Sequence, residues 1–154
     1  VESWLKQRKI DVHLNTRAQA LVDDGHGRAL EVKSADGRLQ RLPCDKVLIA
    51  VGRKPATQGM GLERMAVDMN GPFVKVDAQC RTSMRGVFAI GDLVGEPMLA
   101  HKASAQGEMV AEIIAGHRRA FAPVAIPAVC FTEPELVGVG LTPDEAKAQG
   151  IDVI

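Results

Sequence analysis

TSMRGVFAIGDLVGEPMLAHKA, residues 82–103, holds a predicted strand, a turn and the start of a predicted helix. Val87–Ile90 is a short apolar run, typical of a strand, and it ends at Gly91 and Asp92. A loop follows, and a helical pattern begins at Met98. In α/β folds, ligands bind at the carboxyl ends of strands, beside the amino ends of the helices that follow. Asp92 is therefore predicted at a ligand-binding edge, where a carboxylate suits sugar or ribityl hydroxyls better than phosphate.

The predicted helix after Met98 offers a second feature to a ligand. Its first N–H groups have no intrahelical acceptors and lie at the positive end of the helix dipole, which favours an anion or a carbonyl gaining negative charge. One face carries only small residues, which would let a flat ligand or another backbone approach; they are Ala100, Ala103, Gly107 and Ala111. The bulkier apolar side is formed by Met109, Val110, Ile113 and Ile114. A turn followed by a tightly packed core helix is the simpler interpretation, and a lone Gly-Asp pair favours it.

Composition limits the classes of function. The chain has 154 residues, enough for one ordinary domain or for parts of several. Apolar residues make up 46% and allow a core, whereas aromatic residues, at 3%, leave no extensive base-stacking surface. Nineteen basic residues balance nineteen acidic ones, which argues against nucleic acid or a membrane surface as the main partner. No apolar run approaches the roughly 18 residues that a membrane helix needs.

The two ends of the chain and its cysteines suggest further expectations. The sequence begins at Val1 without a methionine and stops at 152–154 in what resembles a strand that has just started, so we expect an internal piece of a longer protein. Cys44, Cys80 and Cys130 are few and scattered, which indicates neither a disulfide framework nor a zinc site. Buried, reduced thiols in a cytosolic protein are the favoured interpretation.

The first third of the chain predicts a helix, an antiparallel meander and a buried strand. The helix covers residues 1–9, with Trp4 and Leu5 on one face, and alternation predicts a strand over Ile10–Leu14. The meander has three strands joined by two turns, at 18–22, 30–32 and 39–42 with turns at Asp23-Asp24-Gly25 and Asp36-Gly37. Val47–Val51 is continuously apolar, which suits a strand buried on both faces in a parallel sheet.

The remaining elements are shorter. Asn70-Gly71 predicts a turn before a strand at 73–76, and Gly116 predicts the end of the long helix. Two more strands are predicted at 126–131 and 137–141. A final helix at 144–149 follows Thr142-Pro143-Asp144-Glu145, a capping box with proline at the first helical position.

The opening stretch and two further segments together resemble a known family. Thr82, four residues, VFAIGD, a loop and MLAHKA are similar to the second flavin motif of pyridine-nucleotide–disulfide oxidoreductases. VLIAVGRKP, residues 47–55, resembles the segment that closes the NAD domain of that family, and residues 126–146 resemble the opening of its dimerisation domain. Within the family, MLAHKA, QGEMVAEIIAG and FTEPE look most like the dihydrolipoamide dehydrogenase branch. The subtype serving a branched-chain 2-oxo acid dehydrogenase complex is the nearest.

The resemblance implies an FAD site around the Gly91-Asp92 turn. Asp92 would accept a hydrogen bond from the ribityl chain, while Met98, Leu99 and Ala100 would approach the flavin. Backbone N–H groups there would stabilise charge on the reduced ring. His101 would line the helix start, although a polar helix-end residue is an equally good interpretation.

The same resemblance implies a second cofactor, NAD, with Gly52 and Arg53 lying near it. The implied fold class is α/β: a partial three-layer nucleotide-binding (FAD/NAD) fold with an antiparallel meander, followed by the start of an α+β dimerisation domain. Residues 1–53 would close the NAD-binding domain, residues 54–122 would form the central, FAD-binding segment, and residues 123–154 would begin the dimerisation domain. The parent would be a cytoplasmic homodimer acting on the dihydrolipoyl group of a 2-oxo acid dehydrogenase complex. Its electrons would pass through a disulfide and FAD to NAD.

Several features of that family do not occur in these residues, and they keep alternatives open. There is no G-x-G-x-x-G cradle for pyrophosphate, no C-x-x-x-x-C redox pair and no His-Glu proton shuttle; none of His13, His26, His101 and His117 lies in that context. Mercuric reductase, glutathione reductase and transhydrogenase therefore stay as rivals, and so does a non-catalytic module that binds a nucleotide. No catalytic and no metal-ligating residue is predicted.

Other polar and sulfur-containing side chains of the helix have simpler interpretations. Lys102 and Glu108 predict a solvated face, and Met98 and Met109 predict core packing.

Overall fold

The computed structural model describes residues 1–23, 25 and 27–152. Asp24 of the predicted turn, His26, and the last residues Val153 and Ile154, where a strand was expected to start, lie outside the described residues.

The chain divides into two compact units. The first is formed by Val1–Val51 with Thr132–Pro134, and the second by Gly52–Phe131 with the residues from Glu135 onward. No described helix has the length and apolar character that a membrane crossing requires.

The first unit is built on the predicted antiparallel meander, which is confirmed. Its strands are β1 (Thr16–Asp23), β2 (Arg28–Ser34) and β3 (Leu39–Pro43), in the order β1-β2-β3. Within β2, Ala29 and Val32 are buried, at 0% and 5% exposure. The hairpin between β2 and β3 turns at Gly37, whose φ of 86° suits glycine and whose N–H donates to the Ser34 carbonyl over 2.9 Å.

Two predicted strands of this unit are not formed. Ile10–Leu14 and Val47–Val51 are not strands, and Leu48 and Val51 are 90% and 93% exposed. A strand needs a hydrogen-bonded neighbour, and among the described residues no strand lies beside either segment. The prediction of a buried strand over Val47–Val51 is therefore wrong for this chain.

The amino-terminal helix α1 (Glu2–Gln7) is shorter than predicted. Its Trp4 and Leu5 are half-buried, and the guanidinium of Arg8 lies 3.7 Å from the Trp4 ring centroid.

The second unit packs around one long helix, α2 (Ala100–Ile114). Its core consists of four buried residues with three half-buried aromatic or aliphatic neighbours: Cys80, Met109, Val110, Ile113, Phe88, Ile90 and Phe121. The prediction for Met109 is confirmed, whereas Ile114 is 70% exposed and does not join the apolar side expected of it.

The segment before the candidate turn forms less sheet than predicted. Val87–Ile90 contributes only an isolated bridge between Phe88 and Arg81. The Ala89 N–H donates to the Cys80 carbonyl and the Thr82 N–H to the Val87 carbonyl, both over 3.0 Å. Val87–Ile90 therefore pairs with the residues just before it through a few backbone hydrogen bonds, and it forms a short bridge instead of a strand.

A small hairpin precedes this bridge. It pairs β4 (Met69–Asn70) with β5 (Phe73–Val74) across the predicted turn, and Val74 is 1% exposed.

Helix α2 ends as the sequence predicts. Gly116 has a φ of 94°, its N–H donates to Ile113, and the His117 N–H donates to Glu112 over 2.9 Å. These two bonds form a Schellman motif, which requires a residue in the left-handed region after the last turn.

The last elements are β6 (Ala128–Cys130), β7 (Leu136–Gly138) and α3 (Pro143–Ala148). β6 and β7 pair antiparallel, and every residue of β7 is exposed. The capping box is confirmed in both directions, since Thr142 accepts from the Glu145 N–H and the Glu145 carboxylate accepts from the Thr142 N–H.

Candidate functional site

The Gly91–Leu93 segment forms a single 3-10 turn against helix α2. Gly91 has a φ of 71°, and a Cβ added to it would lie 2.9 Å from the Cβ of Ala103. A Cβ on Gly107 would lie 3.4 Å from the Cδ1 of Ile90. Ala103 and Gly107 are therefore the part of the small-residue stripe that lets backbone approach, whereas Ala100 and Ala111 are exposed.

Two buried polar side chains of α2 hold the segment that contains this turn. The Gly91 N–H donates to Gln106 Oε1 over 2.8 Å, and Lys102 Nζ donates to the Gly95 carbonyl over 2.6 Å. Lys102 and Gln106 are each 5% exposed. The prediction that Lys102 belongs to a solvated face is wrong, because its ammonium group reaches inward to a loop carbonyl; Glu108 is exposed, as predicted.

Asp92 projects from the middle of this segment. Its side chain is 41% exposed, and its Oδ2 lies 3.8 Å from Arg53 Nη1, a distance too long for a hydrogen bond. Arg53 follows Gly52, which has a φ of 132°, and its own side chain is 76% exposed. The structure thus brings Arg53 and Asp92 together in a loose ion pair, which leaves the carboxylate lone pairs open to other donors.

The start of α2 presents free backbone donors. Leu99 is the N-cap, and no side chain within the described part of the chain caps the helix. The Met98 N–H donates to Glu96 Oε2 over 3.1 Å and the Leu99 N–H to the Pro97 carbonyl over 3.0 Å. The N–H groups of Met98 and Leu99 are therefore already hydrogen-bonded. The N–H groups without an acceptor among the described residues belong to the next three residues, Ala100, His101 and Lys102.

His101 connects the helix start to the segment before β6. Its Nε2 lies 2.8 Å from the Pro127 carbonyl oxygen. A carbonyl only accepts, so Nε2 carries the hydrogen and donates it. The side chain is thereby fixed at the first turn of α2, which fits both interpretations of His101 given above.

The cysteines differ in environment. Cys80 is 1% exposed, and burial is the main cause that raises the pKa of its thiol; nearby Asp77 adds to this and Lys102 opposes it. Cys44 is half-buried and Cys130 is exposed, so the expectation of buried thiols holds fully only for Cys80. Within residues 1–23, 25 and 27–152, no three His, Cys, Asp or Glu side chains lie close enough to hold a metal ion.

This arrangement suits a ligand that has both hydroxyl and carbonyl groups. A half-exposed carboxylate accepts hydrogen bonds from hydroxyls, and an uncapped helix start donates to oxygens that carry or gain negative charge. The sequence profile of the pyridine nucleotide-disulphide oxidoreductases matches residues 1–107.

The chain belongs to this family.

Relatives in the family carry more specific names. A dihydrolipoyl dehydrogenase from Pseudomonas aeruginosa is 62% identical over 96% of this chain and 31% of its own length. A dihydrolipoyl dehydrogenase from Geobacillus stearothermophilus is 43% identical over the whole chain and 33% of its own length. The chain thus spans about a third of the length of the curated relatives it matches. Members of the family use FAD and NAD(H).

Solved structures confirm the fold class. LpdA from Mycobacterium tuberculosis superposes with a TM-score of 0.78 at 29% identity, over 96% of this chain and 32% of that one. A NAD-dependent persulfide reductase from A. fulgidus has the same fold, with a TM-score of 0.75 at 24% identity, over 98% of this chain and 29% of that one. The nucleotide-binding α/β fold predicted from the sequence is therefore confirmed.

Sequence reasoning missed Lys102 and Gln106 as residues of the site. The available signal was their spacing of four, which places both on one helical face next to Ala103 and Gly107. Polar side chains beside a stripe of tightly packed small residues are expected to reach the backbone that packs there.

Proposed function

We propose that this chain contributes the FAD ribityl and flavin-ring contacts of a dihydrolipoyl dehydrogenase. The observation that carries the proposal is the 62% identity to such an enzyme over 96% of the chain. The overall reaction would oxidise the dithiol of a dihydrolipoyl group to a disulfide, with reduction of NAD⁺ to NADH and release of one proton. The dihydrolipoyl group would belong to a 2-oxo acid dehydrogenase complex, of which the branched-chain type is the nearest by motif.

The residues of the site fit FAD. Asp92 keeps open lone pairs for a ribityl hydroxyl, and Gly91 lets the turn lie directly against Ala103. The free N–H groups of Ala100 and His101 would favour negative charge on a ring carbonyl. When bound, FAD supplies the two-electron chemistry between dithiol and nicotinamide, and these residues only bind and orient it.

The other predicted site residues keep their proposed roles. Met98 and Leu99 would contact the flavin through their side chains, since their N–H groups are already bonded. Gly52 and Arg53 would lie near NAD. Residues 1–53, 54–122 and 123–154 would belong to the NAD-binding, central and dimerisation domains of a cytoplasmic homodimer.

A segment exchange tests this function. Residues 1–154 replace the matching segment of the Pseudomonas aeruginosa dihydrolipoyl dehydrogenase, which supplies the rest of its own machinery. We expect the chimera to retain FAD and to reduce NAD⁺ with dihydrolipoamide. Asp92→Ala in the chimera should weaken FAD binding about tenfold, because it removes one hydrogen bond to a hydroxyl.

The matched control for this exchange is Glu108→Ala, which removes an exposed carboxylate from α2. It should leave FAD affinity unchanged. A folded chimera that takes up no FAD would contradict the proposal, and so would a chimera whose FAD affinity is the same with and without Asp92→Ala.

A further inference from the structure

Helix α2 carries two buried polar side chains on the face that meets the Gly91–Gly95 segment. Lys102 and Gln106 lie four residues apart, one helical turn, and each is 5% exposed. Polar groups this deeply buried lose their hydration and are stable only when they are hydrogen-bonded. Each finds its described partner on the same five-residue segment.

The two contacts lie at the two ends of that segment. Gln106 Oε1 accepts from the Gly91 N–H over 2.8 Å, and Lys102 Nζ donates to the Gly95 carbonyl over 2.6 Å. Asp92 is located between them. One contact uses a backbone donor and the other a backbone acceptor, so together they fix both the position and the direction of the short chain segment that carries Asp92.

Regular secondary structure does little to hold the Gly91–Gly95 segment in place. The segment is a single 3-10 turn followed by a loop, and its internal backbone bond runs from the Val94 N–H to the Gly91 carbonyl over 3.2 Å. The ion pair from Asp92 to Arg53 is long and mostly exposed, so it contributes little to orienting the carboxylate. The side chains of α2 are therefore the main polar restraint on this segment.

We propose that Lys102 and Gln106 are positioning residues for FAD binding, which clamp both ends of the Gly91–Gly95 segment and so hold the Asp92 carboxylate in place for the ribityl chain. This inference rests on the proposed function. The clamp adds no contact to the cofactor; it removes the conformational freedom that Asp92 would otherwise lose on binding.

The test is a double-mutant cycle on FAD affinity in the natural full-length protein. Lys102→Met keeps the length of the side chain and removes the donor, and Gln106→Leu removes the acceptor. Each is made alone and together with Asp92→Ala, and the FAD dissociation constant is measured by flavin fluorescence titration of apoprotein. Gln106→Glu keeps an acceptor for the Gly91 N–H and serves as the conservative variant, and Glu108→Gln on the exposed face of α2 is the control.

A clamp that acts through Asp92 gives a definite pattern. Lys102→Met and Gln106→Leu each weaken FAD binding about five- to tenfold, Gln106→Glu and Glu108→Gln stay near wild type, and adding either weakening change to Asp92→Ala causes no further loss. Losses that multiply in the double variants would overturn the inference, as would wild-type affinity in both single variants. If Lys102→Met does not fold, the pair Gln106→Leu and Gln106→Glu completes the same cycle.

The outcome for Asp92→Ala alone separates the two proposals. If the wild-type protein holds no FAD, or if Asp92→Ala binds FAD as tightly as wild type, the proposed function fails and the clamp fails with it. If Asp92→Ala weakens binding and the clamp variants do not couple to it, the clamp alone is rejected.

Discussion

Asp92 shows which properties of a single residue can be read from sequence. Its position between an apolar run and a helical pattern is local, so a sequence window of about 20 residues was enough to single it out. Its neighbour Arg53 comes from a distant part of the chain, and only folding reveals the 3.8 Å separation of the two charged groups. The roles assigned to both at the cofactors stay predictions.

Lys102 shows the opposite case. Lysine is almost never buried without a partner, so a solvated position was the natural expectation. The partner is the backbone carbonyl of Gly95, a group that every residue has and that no sequence pattern marks. Buried side chain-to-backbone contacts of this kind are therefore the part of the site that sequence cannot supply.

Thiol reactivity gives a prediction at the scale of single residues. In the folded 154-residue chain at low protein concentration, iodoacetamide should alkylate Cys130 first, Cys44 more slowly and Cys80 only after unfolding. Cys80 is 1% exposed and burial raises its thiol pKa, so little thiolate forms and the reagent has no access. Because the folded pKa is raised, protonated Cys80 contributes stability below the unfolded value, and this is lost as pH rises through the folded one.

Mass spectrometry of the three cysteine peptides over time gives the order of alkylation. A sample in denaturant is the control, in which all three should react alike. Labelling of Cys80 in the folded chain as fast as that of Cys130 would contradict the assignment of Cys80 to the core.

Elements were predicted well where their determinants are local. The capping box of α3 lies in four consecutive residues, and the Schellman end of α2 depends on Gly116 alone, so both could be read directly. The strand over Val47–Val51 could not, because a strand depends on neighbours that no local pattern supplies. The same reason reduces Val87–Ile90 to an isolated bridge.

Packing of α2 gives a prediction that compares one substitution at two positions. Ala103→Leu should lower the free energy of unfolding by about 1–3 kcal/mol, because the larger side chain would extend toward Gly91, where even a single added Cβ would lie 2.9 Å from the Cβ of Ala103. Ala111→Leu, on the same helix but exposed, should change it by less than about 0.5 kcal/mol. Urea unfolding of both variants measures the difference, and equal stability would show that the face around Ala103 is open.

The capping box of α3 gives a prediction for pH. Hydrogen bonds from the Thr142 N–H and hydroxyl lower the pKa of the Glu145 carboxyl below its ordinary 4.5. The folded pKa is depressed, so the stabilisation is complete above the unfolded value and is lost as pH falls through the folded one. The Thr142 amide chemical shift should therefore move at a pH below 4.5, and Glu145→Gln should abolish this transition.

A second carboxylate serves as reference for this titration. Glu135 is exposed and has no capping role, so its substitution by Gln should leave the Thr142 transition unchanged. A Thr142 shift that persists in Glu145→Gln would show that another group titrates there.

At the scale of the whole molecule, much apolar surface is uncovered. Several large apolar side chains are almost fully exposed in both units. They include Leu48 at 90%, Val51 at 93%, Val124 at 106% and Phe131 at 83%. Such surface is typical of faces that pack against further protein. The chain spans 31% of the length of the Pseudomonas aeruginosa relative.

The 154-residue chain expressed alone should therefore associate with itself and bind no FAD tightly. Its exposed apolar residues and unpaired strand edges favour aggregation. It has no glycine cradle for pyrophosphate, and the contacts of Asp92 and the α2 start must offset an association cost of about 4–15 kcal/mol. Purification followed by a flavin absorbance spectrum and light scattering tests both expectations, and a yellow, monodisperse monomer would refute them.

The contact between Gly91 and Ala103 also decides where this protein can be diversified by directed evolution. Position 91 is fixed twice, by a φ of 71° and by a neighbour 2.9 Å from any added Cβ, so selection should return glycine there from every randomised codon. Position 103 is fixed once, by size, and should return only alanine or glycine. Ala111 is exposed on the same helix, and most amino acids should be tolerated there. It is therefore the position at which a new surface side chain can be introduced without disturbing the turn that carries Asp92.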